Sequence, residues 1–374
     1  MKRVLYVTLV FVLIFFISYA VGADKINVKT VNGVQVIENP KKPAPPKNAL
    51  TKMILKEELT IGEGEAEEEM FSAISSVVVD DEGNIYMLDG EEKKVKVFDR
   101  EGKFVREFGK QGQGPGEFSL PILIQFSNKG ELVVEDPLNA RIAFFTTEGK
   151  FLKNLSTAKA LGLALVIFDS QGNIIGQQVV PAGNKLTRDC IKYDSELKPL
   201  FTFASMDNTS LLQGKINPFR IVIFYQLGKN DAIFYSNPEE YEVTVVNSEG
   251  KLIKRILKKY DPVKVTEEDK KEFFDSLPSE AAPVKDRIEF PKYYPAYQNF
   301  LLDDQGRMFV RTFEKGKEKG EYYIDVFDAE GMYITKILLK ADPRVWKEIS
   351  CTQWRKTRAD FRLSNVTVFS GKNS

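Results

Sequence analysis

The sequence predicts an all-β fold, a six-bladed β-propeller of four-stranded antiparallel blades. A strand–turn–strand phrase returns five times along the 374 residues, and a second hairpin of similar design precedes each copy. Phe is abundant at 27 residues and Tyr at 14, a composition that favours sheets over helical bundles. Four short strands per repeat, at the spacing found here, are typical of propeller blades.

The repeated phrase contains an alternating strand, a turn around Glu-Gly-Lys or a degenerate form of it, and a second alternating strand. Its copies are Val95–Gly109, Ile142–Ser156, Cys190–Ala204, Val243–Leu257 and Ile324–Leu338. The turn glycines of the first two copies, Gly102 and Gly149, are 47 positions apart. Gly supplies the left-handed backbone conformation that a tight hairpin turn needs. The third copy has Leu197 in place of Gly, which predicts a different turn there.

The stretch GKQGQGPGEF (Gly109–Phe118) contains four glycines and a proline, and it could be a phosphate-binding loop or a joint between sheets. A phosphate loop should open a helix, and no helical pattern follows. Pro115 would also remove one of the backbone donors that such a loop needs. The stretch is therefore predicted to carry the outer strand of one blade into the inner strand of the next.

The segment Thr51–Ser75 matches this joint in register, so Met53–Ile61 is predicted to be an outer strand with no blade in front of it. Ring propellers commonly close in this way, with the N-terminal strand completing the last blade and the C-terminus supplying its inner strands. Five complete units and this strand predict six blades over residues 51–374.

An insertion at residues 258–295 interrupts the repeat. Within it, Val265–Leu277 is predicted to form a short helix, with Thr266 as N-cap and Asp269 at the capping-box position. The stretch Ile288–Tyr297 is dense in Pro and Tyr, and it either packs its own aromatic rings or forms a binding lip. Packing is favoured, because aromatic rings in loops usually pack on one another.

Residues 1–23 are predicted to be a signal peptide. Lys2 and Arg3 precede the apolar run Val4–Tyr19, and Val21–Ala23 supplies small residues at a cleavage site. The alternative is a retained anchor, since the apolar run approaches the length that spans a membrane. The protein is therefore expected to be exported, to the periplasm or outside the cell, and to contact a membrane only if this segment is retained.

Residues 24–50 are predicted to contain a hairpin and a connector. Ile26–Pro40 alternates like a hairpin that turns at Asn32 and Gly33, and Lys41–Lys47 is a stiff proline-rich segment. The hairpin either lies against the ring or acts as a spacer from the membrane.

The C-terminal residues 349–374 are atypical. Ring closure requires inner strands after Leu338, yet the tail shows little alternation, and only Asn365–Ser370 resembles a strand. Two explanations stay open: the reading frame slips near Glu348–Ser350, or the last blade is irregular.

The composition excludes several kinds of chemistry and partner. The chain has no His, which excludes Ser-His-Asp and Cys-His nucleophiles, His-ligated zinc and a His general base. Lys+Arg and Asp+Glu are equal at 53, so no basic excess indicates nucleic acid. Cys190 and Cys351 do not make a disulfide framework, and Cys190 is predicted to be buried and unreactive.

The segment GQGPGEFSLP, followed by GELVVEDPLNARIAFF, resembles the NHL-repeat family and the exported six-bladed propellers related to it. In that pattern the joint is followed by an acidic residue, Asn, Arg and a strand, which Asp136, Asn139 and Arg141 match. The first blade departs from the pattern, with Lys94 before its strand and no Arg. The resemblance implies a propeller over most of Thr51–Leu338 and no particular ligand.

The leading functional hypothesis is a non-enzymatic binding or scaffold module for a protein or a small ligand. Propellers present loops around a central channel, and polar residues at strand ends there are candidate contacts. The candidates are Arg141, Arg220, Tyr294 and Arg311. Each is alternatively structural, as an arginine between blades or a packed tyrosine, and no catalytic, cofactor or metal residue is assigned.

The alternative is an enzyme, because some six-bladed propellers are metal-dependent lactonases or lyases. A lyase that relies on His is excluded, but calcium accepts oxygen ligands alone. The stretches Asp80–Asn84 and Asp303–Arg307 carry such ligands, although they lie at predicted hairpin turns and are shorter than a calcium loop. The binding module is therefore favoured over the enzyme, with no cofactor expected and calcium kept as the open alternative.

Overall fold

The computed structural model describes residues 25–45, 53–62, 66–160, 162–219, 223–237, 239–277, 282–339, 342–347, 350–356 and 363–373. The predicted signal peptide lies outside the described residues. Across the described ranges the chain is an all-β propeller of antiparallel, mostly four-stranded sheets. None of the helices in these ranges combines the length and the apolar character needed to cross a bilayer.

Three strands precede the repeats: β1 (Asn27–Val31), β2 (Val34–Asn39) and β3 (Met53–Ile61). The first sheet contains β4 (Ile74–Val79), β5 (Ile85–Asp89), β6 (Lys94–Phe98) and β7 (Phe104–Phe108). The second contains β8 (Leu123–Phe126), β9 (Leu132–Asp136), β10 (Arg141–Phe145) and β11 (Phe151–Ser156). The third contains β12 (Ala164–Phe168), β13 (Ile174–Ala182), β14 (Lys185–Tyr193) and β15 (Pro199–Asp207).

The fourth sheet contains β16 (Tyr225–Leu227), β17 (Ile233–Asn237), β18 (Glu242–Val246) and β19 (Leu252–Lys258). Helices α1 (Glu267–Asp275) and α2 (Ala282–Lys285) follow in the insertion. The fifth sheet contains β20 (Asn299–Leu302), β21 (Met308–Lys315), β22 (Tyr322–Phe327) and β23 (Tyr333–Leu339). The C-terminal strands are β24 (Asp342–Lys347), β25 (Ser350–Lys356) and β26 (Leu363–Asn373).

The first strands of neighbouring sheets contact one another around a shared axis. The contacting pairs are β4 with β8, β8 with β12, β16 with β20, β20 with β24, and β24 with β4. Four of the apolar clusters contain side chains of two neighbouring sheets and fill the space between them. Between the first and second sheets, for example, Leu88 and Val97 pack with Phe118, Ile124 and Phe145, all at most 1% exposed.

The C-terminal strands form a sheet with β3, in the order β24-β25-β26-β3. Strands β26 and β3 are antiparallel, with Val366 opposite Ile61 and Asn373 opposite Met53. Only Asn365–Ser370 resembles a strand in the sequence of residues 349–374, but the structure has two strands there, β25 and β26, and β24 just before them. Strand formation depends on the available pairing partners as well as on alternation, and β3 offers a complete one.

The N-terminal hairpin lies against the ring. Strand β2 runs parallel to β19, with Ile37 opposite Ile256, so the fourth sheet has six strands. The Asn39 amide donates to the carbonyls of Leu257 at 3.1 Å and Gly331 at 2.9 Å, and its oxygen accepts from the Tyr333 N–H at 2.8 Å. Asn39 thus joins the outer edges of the fourth and fifth sheets.

One turn geometry recurs at seven hairpins. A side-chain oxygen of Asp or Asn accepts the backbone N–H groups two and four residues later, at 2.7–3.1 Å. The acceptors are Asp80, Asp99, Asp169, Asp194, Asn247, Asp303 and Asp328. These side chains fix the backbone of the turn, which is the structural role that Asp and Asn commonly have there.

The prediction of a different turn at Leu197 was wrong. Asp194 accepts the N–H groups of Glu196 and Lys198, both at 2.9 Å, as in the glycine-containing copies. Leu197 itself takes the left-handed conformation, with φ of 63°, and its side chain is 8% exposed. That conformation costs a non-glycine residue about 1–2 kcal/mol, and burial of a leucine contributes about as much in return.

Candidate functional site

The ring has two different faces. Because the strands of each sheet alternate in direction, the links from strand one to two and from three to four lie on one face, which we call the tight-turn face. The links from strand two to three and from sheet to sheet lie on the other, the long-loop face. The longest link is the insertion, which runs between Lys258 and Asn299.

Exposed apolar side chains in the connecting segments lie on the long-loop face. They are Met70, Leu120, Leu138, Leu211, Leu212, Phe224 and Tyr293, with exposures from 37% to 70%. Within the described ranges, no large apolar side chain is exposed in a turn of the tight-turn face. These side chains come from joints and loops of several different sheets.

Arg141 holds the joint between the first and second sheets. Its guanidinium donates to the carbonyls of Gln113 at 2.8 Å, Gly114 at 3.2 Å and Glu117 at 2.6 Å. The buried carboxylate of Asp136 lies 3.6 Å from the same group. Arg141 is 9% exposed, so its donors serve the joint rather than a ligand.

Asp136 and Asn139 bind the same joint, and we call these two residues and Arg141 the clamp. Asp136 accepts the N–H groups of Ser119 at 3.1 Å and Leu120 at 2.8 Å, and Asn139 donates to Asp136 at 2.6 Å. The amide of Asn139 also donates to the Gly112 carbonyl at 3.1 Å. The glycine-rich stretch is thus a joint fixed by side chains.

The first sheet uses different residues for the same purpose. Asp89 accepts the N–H groups of Ser72 at 2.7 Å and Ala73 at 3.2 Å, as Asp136 does in the second sheet. Lys96, which is 2% exposed, donates to the carbonyl of Met70. Lys96 of the first sheet therefore bonds to its joint as Arg141 does in the second sheet.

Two long loops form a cap on the long-loop face above the fourth and fifth sheets. We define the cap as residues 208–219 and the described part of 259–298. The Ile216 N–H donates to Arg287 at 2.8 Å, and the Glu289 N–H donates to Ile216 at 2.9 Å. Helix α1 starts as predicted, with Thr266 and Asp269 in a capping box. The loops are thus joined by backbone hydrogen bonds and stiffened by a helix.

Five aromatic rings of the cap pack together with Phe313 of β21, and all six are half-buried. They are Phe219, Phe273, Phe274, Phe290, Tyr294 and Phe313, and we call them the aromatic cluster. Tyr294 stacks on Phe313, with ring centroids 4.2 Å apart and planes 16° from parallel. The rings do pack on one another, as the favoured interpretation of the insertion predicts. The next residue before Tyr294 in sequence, Tyr293, is 43% exposed.

Asp269 bonds to one ring of the aromatic cluster. Asp269, 7% exposed, accepts hydrogen bonds from Thr266, from Lys315 and from the Tyr294 hydroxyl. Burial would raise the pKa of Asp269, but the hydrogen bonds from Lys315 and Thr266 outweigh it and lower that pKa. Burial likewise opposes the rise in the pKa of Lys315 that Asp269 causes. Both groups therefore stay charged at neutral pH.

The predicted site residues fall into two places. Tyr294 is in the aromatic cluster, and Arg311 lies on β21 two residues before Phe313, its guanidinium 4.5 Å from the ring centre of Tyr322. Arg141 lies apart from them, at the joint of the second sheet. Arg220 lies outside the described residues, although it directly follows Phe219 in sequence.

Sequence reasoning missed a buried polar cluster beneath the cap. The hydroxyls of Tyr241 and Tyr333 both donate to Asp325 at 2.6 Å, and the Lys258 ammonium lies 3.2 Å from the same carboxylate. Burial lowers the pKa of Lys258, and Asp325 opposes that shift. Tyr241 and Lys258 belong to the fourth sheet, whereas Asp325 and Tyr333 belong to the fifth and lie 67 and 75 positions after Lys258. No local motif therefore marks the cluster.

The carboxylates considered for calcium are engaged in their own turns. Asp80 accepts from Asn84 and from the Tyr86 hydroxyl at 3.1 Å, and Asp303 pairs with Arg307 at 2.7 Å. In the part of the chain that the structure describes, no three Asp, Glu or Cys side chains are grouped to hold a metal ion. A groove of about 660 Å³ on the tight-turn face includes Asp80, Tyr86 and Arg106 in its lining.

The comparisons with known proteins agree with a propeller. A family model described as a six-bladed β-propeller, DUF5128, matches residues 65–157, which cover the first two sheets. No curated protein matches the chain in sequence.

Solved structures resemble most of the chain. A protein of Bacteroides fragilis that is named as exported superposes with a TM-score of 0.57 at 11% identity, covering 91% of this chain and 99% of that one. A DUF4221 member from Bacteroides vulgatus gives 0.54 at 11% identity, covering 87% and 100%. Virginiamycin B lyase from Staphylococcus aureus gives 0.43 at 10% identity, covering 85% and 99%, which is too low to bear on activity.

Proposed function

We propose that this protein is an exported, non-enzymatic binding module whose cap on the long-loop face contacts a protein or a small ligand. The observation that carries the proposal is the set of exposed apolar side chains in the cap, Leu211, Leu212 and Tyr293, in the loops that also hold rings of the half-buried aromatic cluster. Aromatic rings held at a surface provide contact area at little entropic cost. In seven turns of the opposite face, by contrast, the Asp or Asn acceptor bonds within its own turn.

We also propose that the ring has six blades, related to the NHL-repeat propellers, with β3 completing the last one. Pairing of β26 with β3 and contact of β24 with β4 support closure. The three residues that match the NHL pattern, Asp136, Asn139 and Arg141, form the clamp that holds the joint. Export is supported by the apolar N-terminal run Val4–Tyr19. The similar structure from Bacteroides fragilis is also of a protein named as exported.

The proposal is tested by affinity capture from the native cell envelope with three baits. These are the full chain, a cap variant with Tyr293→Ser and Leu212→Ser, and a control with Lys129→Ser on the tight-turn face. Both cap side chains are exposed, at 43% and 59%, so the fold should tolerate the changes. A ligand retained by the wild type and the control, but lost from the cap variant, supports the proposal.

A second measurement separates binding from catalysis. Thermal unfolding with calcium and with a chelator should give the same midpoint, since hard cations stabilise only proteins that offer a set of oxygen ligands. A large calcium-dependent rise, together with lactone hydrolysis, would favour the metal-dependent enzyme and contradict the binding module.

A further inference from the structure

The N-terminal hairpin extends the fourth sheet beyond the ring. The other described sheets have four strands, whereas this one continues past β19 with β2 and then β1. Strands in a sheet lie about 4.8 Å apart, so β1 stands about 10 Å outside β19. All five residues of β1 are exposed, and among the described residues no strand pairs with its outer edge. The hairpin therefore presents a strand edge at the rim of the ring.

The hairpin is held in place by the body of the ring. Strand β2 is half-buried or buried along its length, and Ile37 is 1% exposed. Ile37 and the partly buried Ile26 pack in the apolar cluster between the fourth and fifth sheets. Asn39 adds its hydrogen bonds to the same two sheets. The edge is therefore preorganised, so pairing with it carries little ordering cost.

The backbone polar groups of Val28 and Thr30 face outward. Val31 pairs with Val34 across a two-residue turn. The pair that flanks such a turn is hydrogen-bonded, and bonded pairs alternate with unbonded pairs along an antiparallel ladder. Counting back from Val31, the pairs at Thr30 and Val28 are unbonded. These two residues therefore direct their N–H and C=O groups away from β2, as a template for another strand.

The edge has few of the features that prevent strand pairing. Natural edge strands are commonly guarded by Pro, by bulges or by charged side chains. Strand β1 contains no Pro, and its ladder with β2 is regular over all five pairs. Its one charged residue, Lys29, is already bonded to Glu38 at 2.5 Å within the hairpin. Val28 and Val31 are exposed at 46% and 47%.

An apolar row of the sheet ends at this edge. Ile256 of β19 lies opposite Ile37 of β2, and Ile37 lies opposite Val28 of β1. Ile256 and Ile37 are 3% and 1% exposed, whereas Val28 is nearly half exposed. Apolar cross-strand neighbours on one face stabilise a sheet. The residue that would continue the row is therefore an apolar one opposite Val28.

A second copy of β1 supplies that residue in one register. Two identical antiparallel strands are related by a two-fold axis, so one residue lies opposite its own equivalent. With Lys29 at the axis, two like charges would be opposed, which destabilises a sheet. With Thr30 at the axis, Val28 would lie opposite Asn32 of the turn. With Val28 at the axis, valine meets valine, and each Val28 donates its N–H to the carbonyl of the other.

The other face of the strand is also self-complementary in this register. Asn27 of one copy lies opposite Lys29 of the other. The Asn27 amide donates to Glu38 of its own hairpin at 2.8 Å. The carboxylate of one copy and the ammonium of the other therefore flank the Asn27 side chain, on both sides of the axis. Opposite charges placed in this way favour the register.

We propose that β1 pairs antiparallel with the β1 of a second copy, about a two-fold axis at Val28, and joins two rings through one continuous sheet. The two β19 strands are then five strand spacings, about 24 Å, apart. Because strand direction reverses at the axis, the long-loop faces of the two rings point in opposite directions. The interface contains no cap residue, so the pairing is independent of the ligand proposed for the cap. Strands this short make a small interface, and the dimer should dissociate on dilution.

Sedimentation velocity of the purified exported chain tests the pairing. The wild-type mass should double as the concentration rises from micromolar to millimolar. Val28→Asp and Val28→Lys each place like charges at the axis, so each variant alone should keep the mass of one chain. An equimolar mixture of the two should regain the dimer, because opposite charges then meet. Val28→Thr, the matched uncharged control, should dimerise as the wild type does.

The side chain of Val28 is exposed, so these changes should leave the ring folded, which far-ultraviolet circular dichroism checks. A wild type that keeps the mass of one chain at every concentration would overturn the pairing and leave the edge to a strand of a different protein. A dimer that persists in both charged variants would place the contact elsewhere and overturn it as well. A mixture that stays monomeric would overturn the register at Val28.

Discussion

At the tight-turn face, seven turns repeat one arrangement, in which an Asp or Asn oxygen accepts two backbone N–H groups of its own turn. At the long-loop face each connection has its own length and its own contacts, such as the Arg141 clamp and the aromatic cluster. Local contacts can be copied from repeat to repeat, whereas contacts between loops from different repeats must be made individually. The comparison shows that the contacts of the first face lie within single turns, whereas those of the second face join different repeats.

The largest difference between the faces should appear when an acceptor is removed. Asp136→Ala leaves the buried Arg141 without its carboxylate and two joint N–H groups without an acceptor, and it should cost about 3–5 kcal/mol in unfolding free energy. Asp99→Ala, in a half-exposed turn, should cost about 1 kcal/mol. Urea unfolding measures both, and equal losses would contradict the distinction.

Glycines with the same conformation provide a second contrast. Gly109 at a joint has φ of 91°, and a Cβ there would lie 2.5 Å from the Phe118 ring and 3.0 Å from the Lys93 carbonyl. Gly130 at a tight turn has φ of 72° and nothing within 4 Å. Gly109→Ala should cost about 3 kcal/mol and Gly130→Ala about 1 kcal/mol. Thermal unfolding would refute the contrast if Gly130→Ala were the more harmful change.

Loss of the central ring of the aromatic cluster should loosen the cap alone. Phe219 contacts four other rings of the cluster, so Phe219→Ala should cost about 2 kcal/mol of local stability. Hydrogen exchange should rise in residues 208–219 and 259–277 and stay unchanged in residues 127–131. Leu212→Ala, at a side chain 59% exposed, is the control and should change neither region.

The cap should also respond to acid. The folded state lowers the pKa of Asp269 below its usual 3.8, so its contribution is present above pH 3.8 and is lost as the pH falls through the folded value. The near-ultraviolet circular dichroism of the stacked Tyr294 and Phe313 should therefore weaken in acid. Asp269→Ala should show a similar weakening at pH 7, with a cost of about 1–2 kcal/mol. An acid-insensitive signal in the wild type would argue against this role for Asp269.

The smallest effect is expected at Leu197. Leu197→Gly relieves the left-handed conformation but removes a buried side chain, and the two nearly offset, leaving a net loss of about 1 kcal/mol or less. Chemical unfolding measures this change in unfolding free energy. A loss above about 3 kcal/mol would mean that the side chain matters far more than the turn.

Sequence patterns predicted what is local. Alternation and turn residues predicted the hairpins and the capping box at Thr266 and Asp269, because each depends on neighbours in sequence. Strand β3 was predicted from its match to the joint of the repeat, although its partner β26 is distant in sequence. They did not predict that the turn at Leu197 would keep the geometry of the glycine-containing copies, since the burial of Leu197 comes from tertiary packing.

The candidate site was less predictable. The abundance of Pro and Tyr marked the region around Tyr294, but nothing local paired Phe219 with Phe290, which lies 71 positions away. Arg141 matched a recognisable motif because the motif itself is structural. Residues that fold a repeat recur and can be recognised, whereas residues that meet across loops are brought together only by the ring.

The central claim is that the long-loop face, and not the tight-turn face, meets the partner. The most direct measurement is photo-crosslinking in cells that make the full chain, with a photoreactive residue in place of Tyr293 in the cap or of Lys129 on the tight-turn face. We predict a discrete adduct from Tyr293 and none from Lys129. Adducts from Lys129 alone would contradict the assignment and place the binding surface on the opposite side of the ring.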